Sequence, residues 1–475
     1  MTGKQDQPSA PKSLSSTVDE LLRKADEPNR LSEKLHPFYQ GKVEVIPKCS
    51  IWDFDAFGVW YTPGVARACR MIEAGLKQHD VQPLYTLTNK WNNVAVVSDG
   101  SRVLGLGNIG PEAGMPVMEG KALLFKYLGG VDAFPVCLEC HETEEIIQTV
   151  KNIQPCFGGI NLEDIAQPKC FDILDRLRND KDMRIPVWHD DAQGTASIEV
   201  AGVINALKIV GKKMSEVTVA MLGAGAANIS IARVLVGAGL PIRNLMIVDS
   251  KGILHPDRED KENLEKNYKQ KWHFALNSNC EGRTGGIEVA VKDADVLLCA
   301  SKSRNRNEPP VVPLDALKTM ADDAIAFFAA NPVPEVWPWE AKECGIKVIA
   351  TGRSDFPNQI NNSLGFPGIF RGTLDVHAYT ITDEMVIAVA REIAQTAEDN
   401  EDQFGPDYIV PTMDDWTVFP REATACALQA IKEGTARIKP SRDEIYAKAE
   451  AIIRRARELT QSLMKNNFIK PADLS

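Results

Sequence analysis

A glycine-rich turn constrains the fold of this chain more than any other feature of its sequence. The turn reads Gly223-Ala224-Gly225-Ala226-Ala227-Asn228. An apolar run, residues 217–222, precedes it, and a helical pattern, residues 229–240, follows it. This context is typical of dinucleotide-binding sheets, because such glycines let the backbone approach a pyrophosphate at the N-terminus of the helix. A purely structural turn between a strand and a helix is the alternative.

Each position of the turn has an expected role. Gly223 permits the tight turn and Gly225 the close approach of the pyrophosphate, with Ala226 and Ala227 completing the predicted cofactor-binding backbone. Asn228 stands where Gly or Ala is usual, so we expect looser packing of the helix on its strand.

The next predicted strand ends at Asp249, where an acidic residue normally holds the ribose hydroxyls. Its charge would repel a 2′-phosphate, which favours NAD over NADP. Arg243, Ser250 and Lys251 lie nearby and weaken that preference.

Further apolar runs at residues 245–248, 296–300, 324–330 and 346–350 suit a parallel sheet that is covered on both faces. We predict an α/β protein with a flexible N-terminal tail, residues 1–30, and an N-terminal α/β substrate domain, residues 31–189. A doubly wound, Rossmann-like dinucleotide domain, residues 190–361, would be inserted before a C-terminal segment, residues 362–475, that returns to the first domain. Helices are predicted at residues 383–398 and 441–465, the second opened by a capping box of Ser441 and Glu444.

Two acidic pairs, Glu163-Asp164 and Asp190-Asp191, lie upstream of the glycine turn in apolar surroundings. Carboxylates clustered in this way repel one another and resist desolvation unless a cation neutralises them. Mg²⁺ and Mn²⁺ prefer oxygen ligands. A metal beside a dinucleotide fold suggests oxidation of a chelating substrate.

The composition excludes several classes of protein. A net charge of −11 and a pI of about 5.3 argue against nucleic acid as a partner. No apolar run approaches the roughly 18 residues of a membrane-spanning helix. Ten scattered cysteines fit reduced thiols in a cytoplasmic protein.

One cysteine pattern, Cys137-Leu138-Glu139-Cys140-His141, matches the motif of covalent haem attachment. That chemistry belongs to exported proteins, and residues 1–30 lack the hydrophobic core of a signal peptide. We therefore interpret residues 134–138 as the end of a buried strand and the two cysteines as chance neighbours.

With these features in place, the chain resembles the malic enzymes, the decarboxylating malate dehydrogenases, over residues 36–439. The length and the N-terminal pattern are closer to the small bacterial form than to the large animal form. The resemblance is carried by motifs that occur in order: Tyr61-Thr62-Pro63-Gly64-Val65-Ala66, Val103-Leu104-Gly105-Leu106-Gly107-Asn108-Ile109-Gly110, Glu119-Gly120-Lys121, both acidic pairs, Gln193-Gly194-Thr195-Ala196, Asn331-Pro332 and Asn361-Asn362-Ser363.

The resemblance implies oxidative decarboxylation of L-malate to pyruvate and CO₂ with reduction of NAD or NADP. It implies that Glu163, Asp164 and Asp191 ligate Mn²⁺ or Mg²⁺, which L-malate chelates. It also implies three catalytic residues. Lys121 would take the hydroxyl proton, Tyr61 would protonate the enol carbon, and Asp190 would orient Lys121.

Other residues are implied to bind substrate or cofactor. Arg102 matches the arginine that grips a substrate carboxylate, although smaller members often lack it. Asn331, Asn361 and Asn362 would contact nicotinamide, ribose and substrate. Considered alone, Tyr61 is also explained as the cap of a turn and Lys121 as a surface charge. The assignment of catalytic roles therefore depends on all the motifs occurring together.

Two competing functions remain open. In the malolactic reaction the same site retains its cofactor and reduces pyruvate to lactate. A non-catalytic nucleotide sensor would be expected to have lost a metal ligand or the Tyr61–Lys121 pair, and all are present. The family implies a homodimer or a larger homo-oligomer.

A basic loop departs from the family pattern after the run 296–300. It reads Ser301-Lys302-Ser303-Arg304-Asn305-Arg306-Asn307. Because the carboxyl end of a strand borders the cofactor crevice, we hypothesise that these cations meet a nucleotide phosphate or an anionic effector. A solvated loop is the alternative.

Overall fold

The computed structural model describes residues 14–301, 303, 305 and 308–472. Lys302, Arg304 and Arg306, on which the basic-loop hypothesis depends, lie outside this range. Among the described residues, no helix is both long enough and apolar enough to cross a membrane.

Helices make up most of the regular structure. In chain order they are α1 Leu14–Tyr39, α2 Ala56–Trp60, α3 Val65–Lys77, α4 Gln82–Leu87, α5 Pro111–Gly129, α6 Thr143–Ile153, α7 Lys169–Asn179, α8 Thr195–Ile209, α9 Ala226–Ala238, α10 Lys261–Asn267, α11 Lys269–Asn277, α12 Ile287–Ala290, α13 Leu314–Leu317, α14 Pro338–Glu343, α15 Phe366–Asp375, α16 Asp383–Glu398, α17 Val418–Glu433 and α18 Arg442–Lys465.

The strands form two sheets. The first contains β1 Asn93–Ser98, β2 Asp132–Cys137, β3 Gly159–Leu162 and β4 Val187–His189; the second contains β5 Val219–Leu222, β6 Leu245–Asp249, β7 Gly252–Ile253, β8 Val296–Cys299, β9 Ile325–Phe328 and β10 Val348–Thr351.

In the first sheet the strand order is β2-β1-β3-β4 and every pairing is parallel. Leu162, the last residue of β3, pairs with His189, the last residue of β4. An acidic pair follows directly after β3, and the other follows directly after β4. Parallel strands end at the same edge of a sheet, so this register brings the two acidic pairs together.

The second sheet has the order β10-β9-β8-β5-β6-β7. All pairings are parallel except that of the short edge strand β7 with β6. From β5 the chain builds outward first through β6 and then through β8 on the other side, so the strand order reverses beside the glycine turn. Ligands bind in the crevice at such a point. The doubly wound, Rossmann-like sheet is therefore confirmed.

The C-terminal helices pack against the first part of the chain. Helices α15 and α18 both contact α5, and the ring of Phe125 on α5 lies 4.6 Å from that of Phe366. The predicted capping box of Ser441 and Glu444 opens α18, and Ile445, Ala449 and Ala456 along this helix are buried.

Helix α1 differs from the prediction for the N-terminus. It covers Leu14–Tyr39, so the segment assigned to a flexible tail is helical from Leu14 onward. Residues 1–13 lie outside the described range.

Candidate active site

A π-helical turn, Asp190–Gly194, connects β4 to α8 and carries the second acidic pair. Such turns are rare and occur frequently at functional sites. A Cβ atom on Gly194 would lie 2.1 Å from Asp190 Oδ1, so only glycine leaves room for that carboxylate. The glycine of the Asp190–Gly194 motif thus serves the placement of Asp190.

Asp190 is fully buried and accepts three hydrogen bonds. Lys121 Nζ and Asn362 Nδ2 each donate to its Oδ2 at 2.6 Å, and Trp188 Nε1 donates to its Oδ1 at 3.0 Å. These donors come from α5, from the residues before α15 and from β4. The carboxylate therefore joins three separate parts of the chain and fixes the direction of the Lys121 side chain.

Lys121 lies between two carboxylates in a buried environment. Its Nζ is 2.9 Å from Glu163 Oε1, in addition to its contact with Asp190, and it lies 4.2 Å from the centre of the Phe366 ring. Burial lowers the pKa of Lys121, but the facing charges of Asp190 and Glu163 raise it well above its usual range. In this arrangement Lys121 is protonated.

Glu163 and Asp164 are crowded by other acids. Burial raises the pKa of Glu163 well above its usual range against the opposing effect of Lys121. Burial and the charge of Asp191 raise the pKa of Asp164 to about 7. Asp164 Oδ2 is buried without a hydrogen-bond partner among the described residues. The cluster holds more negative charge than Lys121 neutralises.

The chemistry of this cluster suits a hard divalent cation, because its donors are carboxylate oxygens and one of them is buried and unpartnered. Within the described range, however, no three His, Cys, Asp or Glu side chains are placed to hold an ion together. Glu163 is instead turned towards Lys121, and Asn161 Nδ2 donates to its other oxygen at 2.8 Å. The donor atoms are those that a metal site needs, but the Glu163 side chain is directed at Lys121 and Asn161.

His189 is a buried neighbour of this cluster. Its Nε2 lies 3.6 Å from Asp191 Oδ2, and neither ring nitrogen has a hydrogen-bond partner among the described residues. Burial lowers the pKa of His189, so the ring is neutral. Asp191 Oδ2 accepts a hydrogen bond from the backbone N–H of Asp164 at 2.9 Å, which links the two acidic pairs directly.

The other residues predicted to bind substrate or cofactor make separate contacts. The backbone N–H of Arg102 donates to Asp164 O at 2.9 Å, but its guanidinium turns to the carbonyl of Leu104 at 3.2 Å. Asn362 contacts Asp190 as described. Asn361 accepts a hydrogen bond from the backbone N–H of Ser363 at 3.0 Å, and Asn331 Nδ2 lies 3.4 Å from the carbonyl of Gly352.

The glycine turn has the geometry of a phosphate-binding turn. Gly223 has φ +104°, and a Cβ atom there would lie 2.6 Å from the carbonyl of Ala300. A Cβ atom on Gly225 would meet nothing within 4 Å, and Ala226 and Ala227 begin α9 with their N–H groups in its first turn. The turn therefore leaves open space in front of a helix N-terminus.

Asn228 makes hydrogen bonds to this turn that the sequence did not predict. Its side chain is fully buried and donates from Nδ2 to the carbonyls of Leu222 at 2.8 Å and Gly223 at 2.9 Å. An amide at this position ties the helix to the end of its strand, which neither Gly nor Ala is able to do.

Comparison with known proteins places the chain in a family. A family model described as the malic enzyme N-terminal domain matches residues 40–178, and one described as the malic enzyme NAD-binding domain matches residues 192–336 and 346–430. This chain belongs to the malic enzyme family.

Individual malic enzymes are similar over most of the chain. A bifunctional malic/malolactic enzyme of Bacillus subtilis (strain 168) is 44% identical over 418 residues, 88% of this chain and 97% of that protein. An NAD-dependent malic enzyme of Geobacillus stearothermophilus is 47% identical over 397 residues, 84% of this chain and 78% of that protein. Others are named NADP-dependent malic enzymes.

The crystal structure of the malic enzyme of Entamoeba histolytica matches with a TM-score of 0.89 at 43% identity. The match covers 97% of this chain and 93% of that one.

Tyr61, the acid predicted from the malic enzyme motif, is not joined to Lys121 in this chain. Its side chain is 71% exposed, and its hydroxyl makes no hydrogen bond to any described residue. It follows α2 in a segment, residues 43–65, that exposes large apolar side chains, among them Val45 at 82% and Phe54 at 90%.

Two features near the cofactor crevice were missed by the sequence reasoning. Arg258 Nη1 donates to Asp249 Oδ1 at 2.9 Å, while its other nitrogens form a forked pair with Asp260 at 2.8 and 3.0 Å. The buried acids Glu199 and Glu335 interact electrostatically, and burial together with the charge of Glu335 raises the pKa of Glu199 to about 8. Arg258 lies in a charged, irregular stretch of sequence, and Glu199 lies inside an apolar helix, so neither carried a recognisable signal.

Proposed function

We propose that this protein catalyses the metal-dependent oxidative decarboxylation of L-malate to pyruvate and CO₂ with reduction of NAD or NADP. The observation that carries the proposal is the placement of Lys121 against Asp190 and Glu163, at the edge where both acidic pairs meet. Membership of the malic enzyme family supports the same reaction.

Glu163, Asp164 and Asp191 are the proposed ligands of Mn²⁺ or Mg²⁺. A bound cation would supply Lewis-acid polarisation of the substrate oxygens. Engagement of Glu163 as a ligand would withdraw one of the two carboxylates that keep Lys121 protonated. The pKa of Lys121 would then fall, which a group that removes the hydroxyl proton of malate requires.

Asp190 keeps Lys121 oriented, because it accepts hydrogen bonds from Lys121, Asn362 and Trp188 together. Asn362 would thus share the Asp190 carboxylate with Lys121 and would keep its own side chain in place to contact the substrate. Arg102 would swing from Leu104 to grip a substrate carboxylate, since its backbone already lies at Asp164.

We propose that the protein prefers NAD to NADP as its coenzyme, because Asp249 would bind the ribose hydroxyls. The turn that binds the pyrophosphate would consist of Gly223, Gly225, Ala226, Ala227 and Asn228. Arg258 holds one oxygen of Asp249, which orients the carboxylate for the ribose hydroxyls. Lys251 Nζ lies 3.1 Å from Asp260, the carboxylate that also pairs with Arg258. Asn331 and Asn361 would contact the nicotinamide end.

We also propose that a second copy of the chain covers the exposed segment 43–65 and that Tyr61 completes the site of that second copy. The support is the exposure of Tyr61 and of its apolar neighbours in a single chain. The test is to unfold the Tyr61→Phe and Lys121→Ala variants, mix them and refold them together, so that hybrid oligomers form. Hybrid oligomers would regain activity if the site is shared between chains, and would stay inactive if each chain completes its own site.

The proposed division of the chain places the substrate domain at residues 31–189, the dinucleotide domain at 190–361 and the returning segment at 362–475. The two sheets, and the packing of α15 and α18 on α5, support it. The ten free thiols support a cytoplasmic location.

The test of the main proposal is the absorbance of reduced nicotinamide with L-malate and Mn²⁺, run in parallel with NAD and NADP, followed by assays of pyruvate and lactate. Pyruvate formed together with reduced cofactor supports the proposal, and the two rates decide the coenzyme. No turnover with either cofactor would contradict it.

A malolactic activity is the second candidate, favoured by the similarity to the bifunctional enzyme of Bacillus subtilis. Loss of malate with formation of lactate, and without net reduced cofactor, would identify it.

A further inference from the structure

One buried arginine connects two loops at the cofactor crevice. The first loop follows β9 and carries Asn331; the second follows β10 and carries Asn361. Arg353 lies in the second loop with its side chain 5% exposed. Its Nη1 donates a hydrogen bond to the carbonyl of Pro332 in the first loop.

The guanidinium of Arg353 is itself held in place. Its Nε and Nη2 form a forked pair with the two oxygens of Asp355, at 2.8 and 2.6 Å. The rings of Trp337 and Phe356 lie 5.6 and 5.8 Å from its central carbon. A forked, stacked guanidinium has little freedom, and Asp355 balances its charge. Arg353 therefore acts as a rigid link.

Asn331 lies directly against the second loop. A Cβ atom on Gly352 would be only 2.5 Å from Asn331 Nδ2 and 2.7 Å from the carbonyl of Ala329. This approach is possible only because residue 352 is glycine. A shift of one loop relative to the other would displace the Asn331 amide.

We propose that Arg353 is a positioning residue for the nicotinamide end of the cofactor. The inference rests on the proposed function, in which Asn331 and Asn361 contact that end. By holding the Pro332 carbonyl, Arg353 sets the spacing of the two asparagines. The proposed metal ligands lie at the edge of the other sheet, so the loss of Arg353 affects the cofactor and leaves metal affinity unchanged.

The test compares Arg353→Gln and Arg353→Lys with the wild-type protein. NADH affinity is measured by energy transfer from tryptophan to reduced nicotinamide, KM for NAD and kcat by turnover, and Mn²⁺ affinity by electron paramagnetic resonance. Arg353→Gln is expected to raise the Kd for NADH and the KM for NAD by about tenfold or more, with unchanged Mn²⁺ affinity. Arg353→Lys should recover part of the loss, because an ammonium still donates to Pro332 but does not form the fork.

The matched control is Arg421→Gln, which removes another arginine–carboxylate pair, with Glu392 at 2.7 Å, among the C-terminal helices. It should retain wild-type cofactor constants. If Arg353→Gln does not fold, Asp355→Asn tests the same link, because it weakens the fork without removing the guanidinium.

The proposal would be overturned if Arg353→Gln kept the wild-type Kd for NADH and the wild-type KM for NAD. The same holds for Asp355→Asn if that variant has to replace it. An equal loss of Mn²⁺ affinity would also overturn the proposal. A wild-type protein that binds NADH but does not turn over malate would contradict the proposed function alone, and the NADH affinities would still decide the role of Arg353.

Discussion

Two groups of buried carboxylates lie beside the two sheets, and the fold accommodates them by different means. At the edge of the first sheet, Glu163 and Asp190 share the ammonium of Lys121. Near the second sheet, Glu335 accepts hydrogen bonds from Ser301 and from the backbone of Ala330, while neither oxygen of Glu199 has a hydrogen-bond partner among the described residues. In the first group Lys121 opposes the effect of burial on the carboxyl pKa, whereas in the second group burial and the charge of Glu335 together raise the pKa of Glu199 to about 8.

The difference shows what each group is able to do. A cation that faces a buried carboxylate opposes the rise in pKa caused by burial, as Lys121 does for Glu163, and so favours the charged form that binds a metal ion. A buried carboxyl without a cation becomes neutral near physiological pH, as the raised pKa of Glu199 indicates. The first group is suited to chemistry and the second to a stability that depends on pH.

Replacing Lys121 by Met should have the largest effect. We expect kcat to fall by about 10²–10⁴-fold, the usual contribution of an acid–base group. The metal-free protein should lose roughly 3–5 kcal/mol in its free energy of unfolding, because the buried carboxylates lose their cation. Turnover and urea unfolding measure the two effects. The control is Lys126→Met, on the same helix as Lys121, which breaks a half-buried pair with Asp132 of β2 and should cost at most about 1 kcal/mol. Equal destabilisation by both changes would contradict this account.

Glu199→Gln should change how stability depends on pH. The folded pKa of Glu199, about 8, lies above the ordinary value of 4.5, so the folded state binds the proton more tightly. In the wild-type protein this group's contribution to stability is full below the ordinary pKa and is lost as the pH rises through about 8. The loss amounts to a few kcal/mol, since one pKa unit corresponds to about 1.36 kcal/mol. Unfolding by urea at several pH values should show a flatter profile for Glu199→Gln, and identical profiles would exclude a neutral Glu199.

Mn²⁺ should stabilise the protein through the first group only. At a concentration near 100 times Kd, we expect about 2.7 kcal/mol of stabilisation, seen as a higher Tm in thermal unfolding. Asp191→Asn should lose most of this increase, whereas Glu199→Gln should keep it. A full Mn²⁺ effect in Asp191→Asn would remove that residue from the proposed ligands.

Glu335→Gln should have the smallest effect. Removing its charge lowers the pKa of Glu199, because that charge adds to the burial that raises it. The fall in stability with rising pH should therefore be shallower than in the wild-type protein, but steeper than in Glu199→Gln. A pH series of unfolding measurements on both single variants and the double variant isolates the coupling.

Much of the fold was predictable because local patterns determine it. Helix α16 spans the predicted residues 383–398, and the run 324–330 contains β9, Ile325–Phe328. The strand is shorter than the run because the N–H of Ala330 donates to Glu335 instead of a neighbouring strand. Helix α1 begins at Leu14, inside the segment that was predicted as a flexible tail because its residues carry few apolar side chains that would indicate a helix.

The candidate site was predicted in part. The acidic pairs were identifiable as clustered carboxylates in apolar surroundings, and the glycine turn and Asp249 by the predicted strands that end there. The roles of Lys121, Tyr61 and Arg102 came from the resemblance to malic enzymes. The structure joins Lys121 to Asp190, whereas it leaves Tyr61 exposed and turns the Arg102 guanidinium to Leu104.

The sequence by itself determined which segments form strands and helices and which polar residues lie near their ends, because the periodicity of apolar side chains and the freedom of glycine act over a few residues. Only the tertiary structure decided that Lys121 lies between Glu163 and Asp190, that Arg258 holds Asp249, and that Glu199 is buried with no hydrogen-bond partner among the described residues. Those arrangements depend on how distant helices and loops pack. The pKa of a buried group depends on the charges that packing brings within a few ångströms of it.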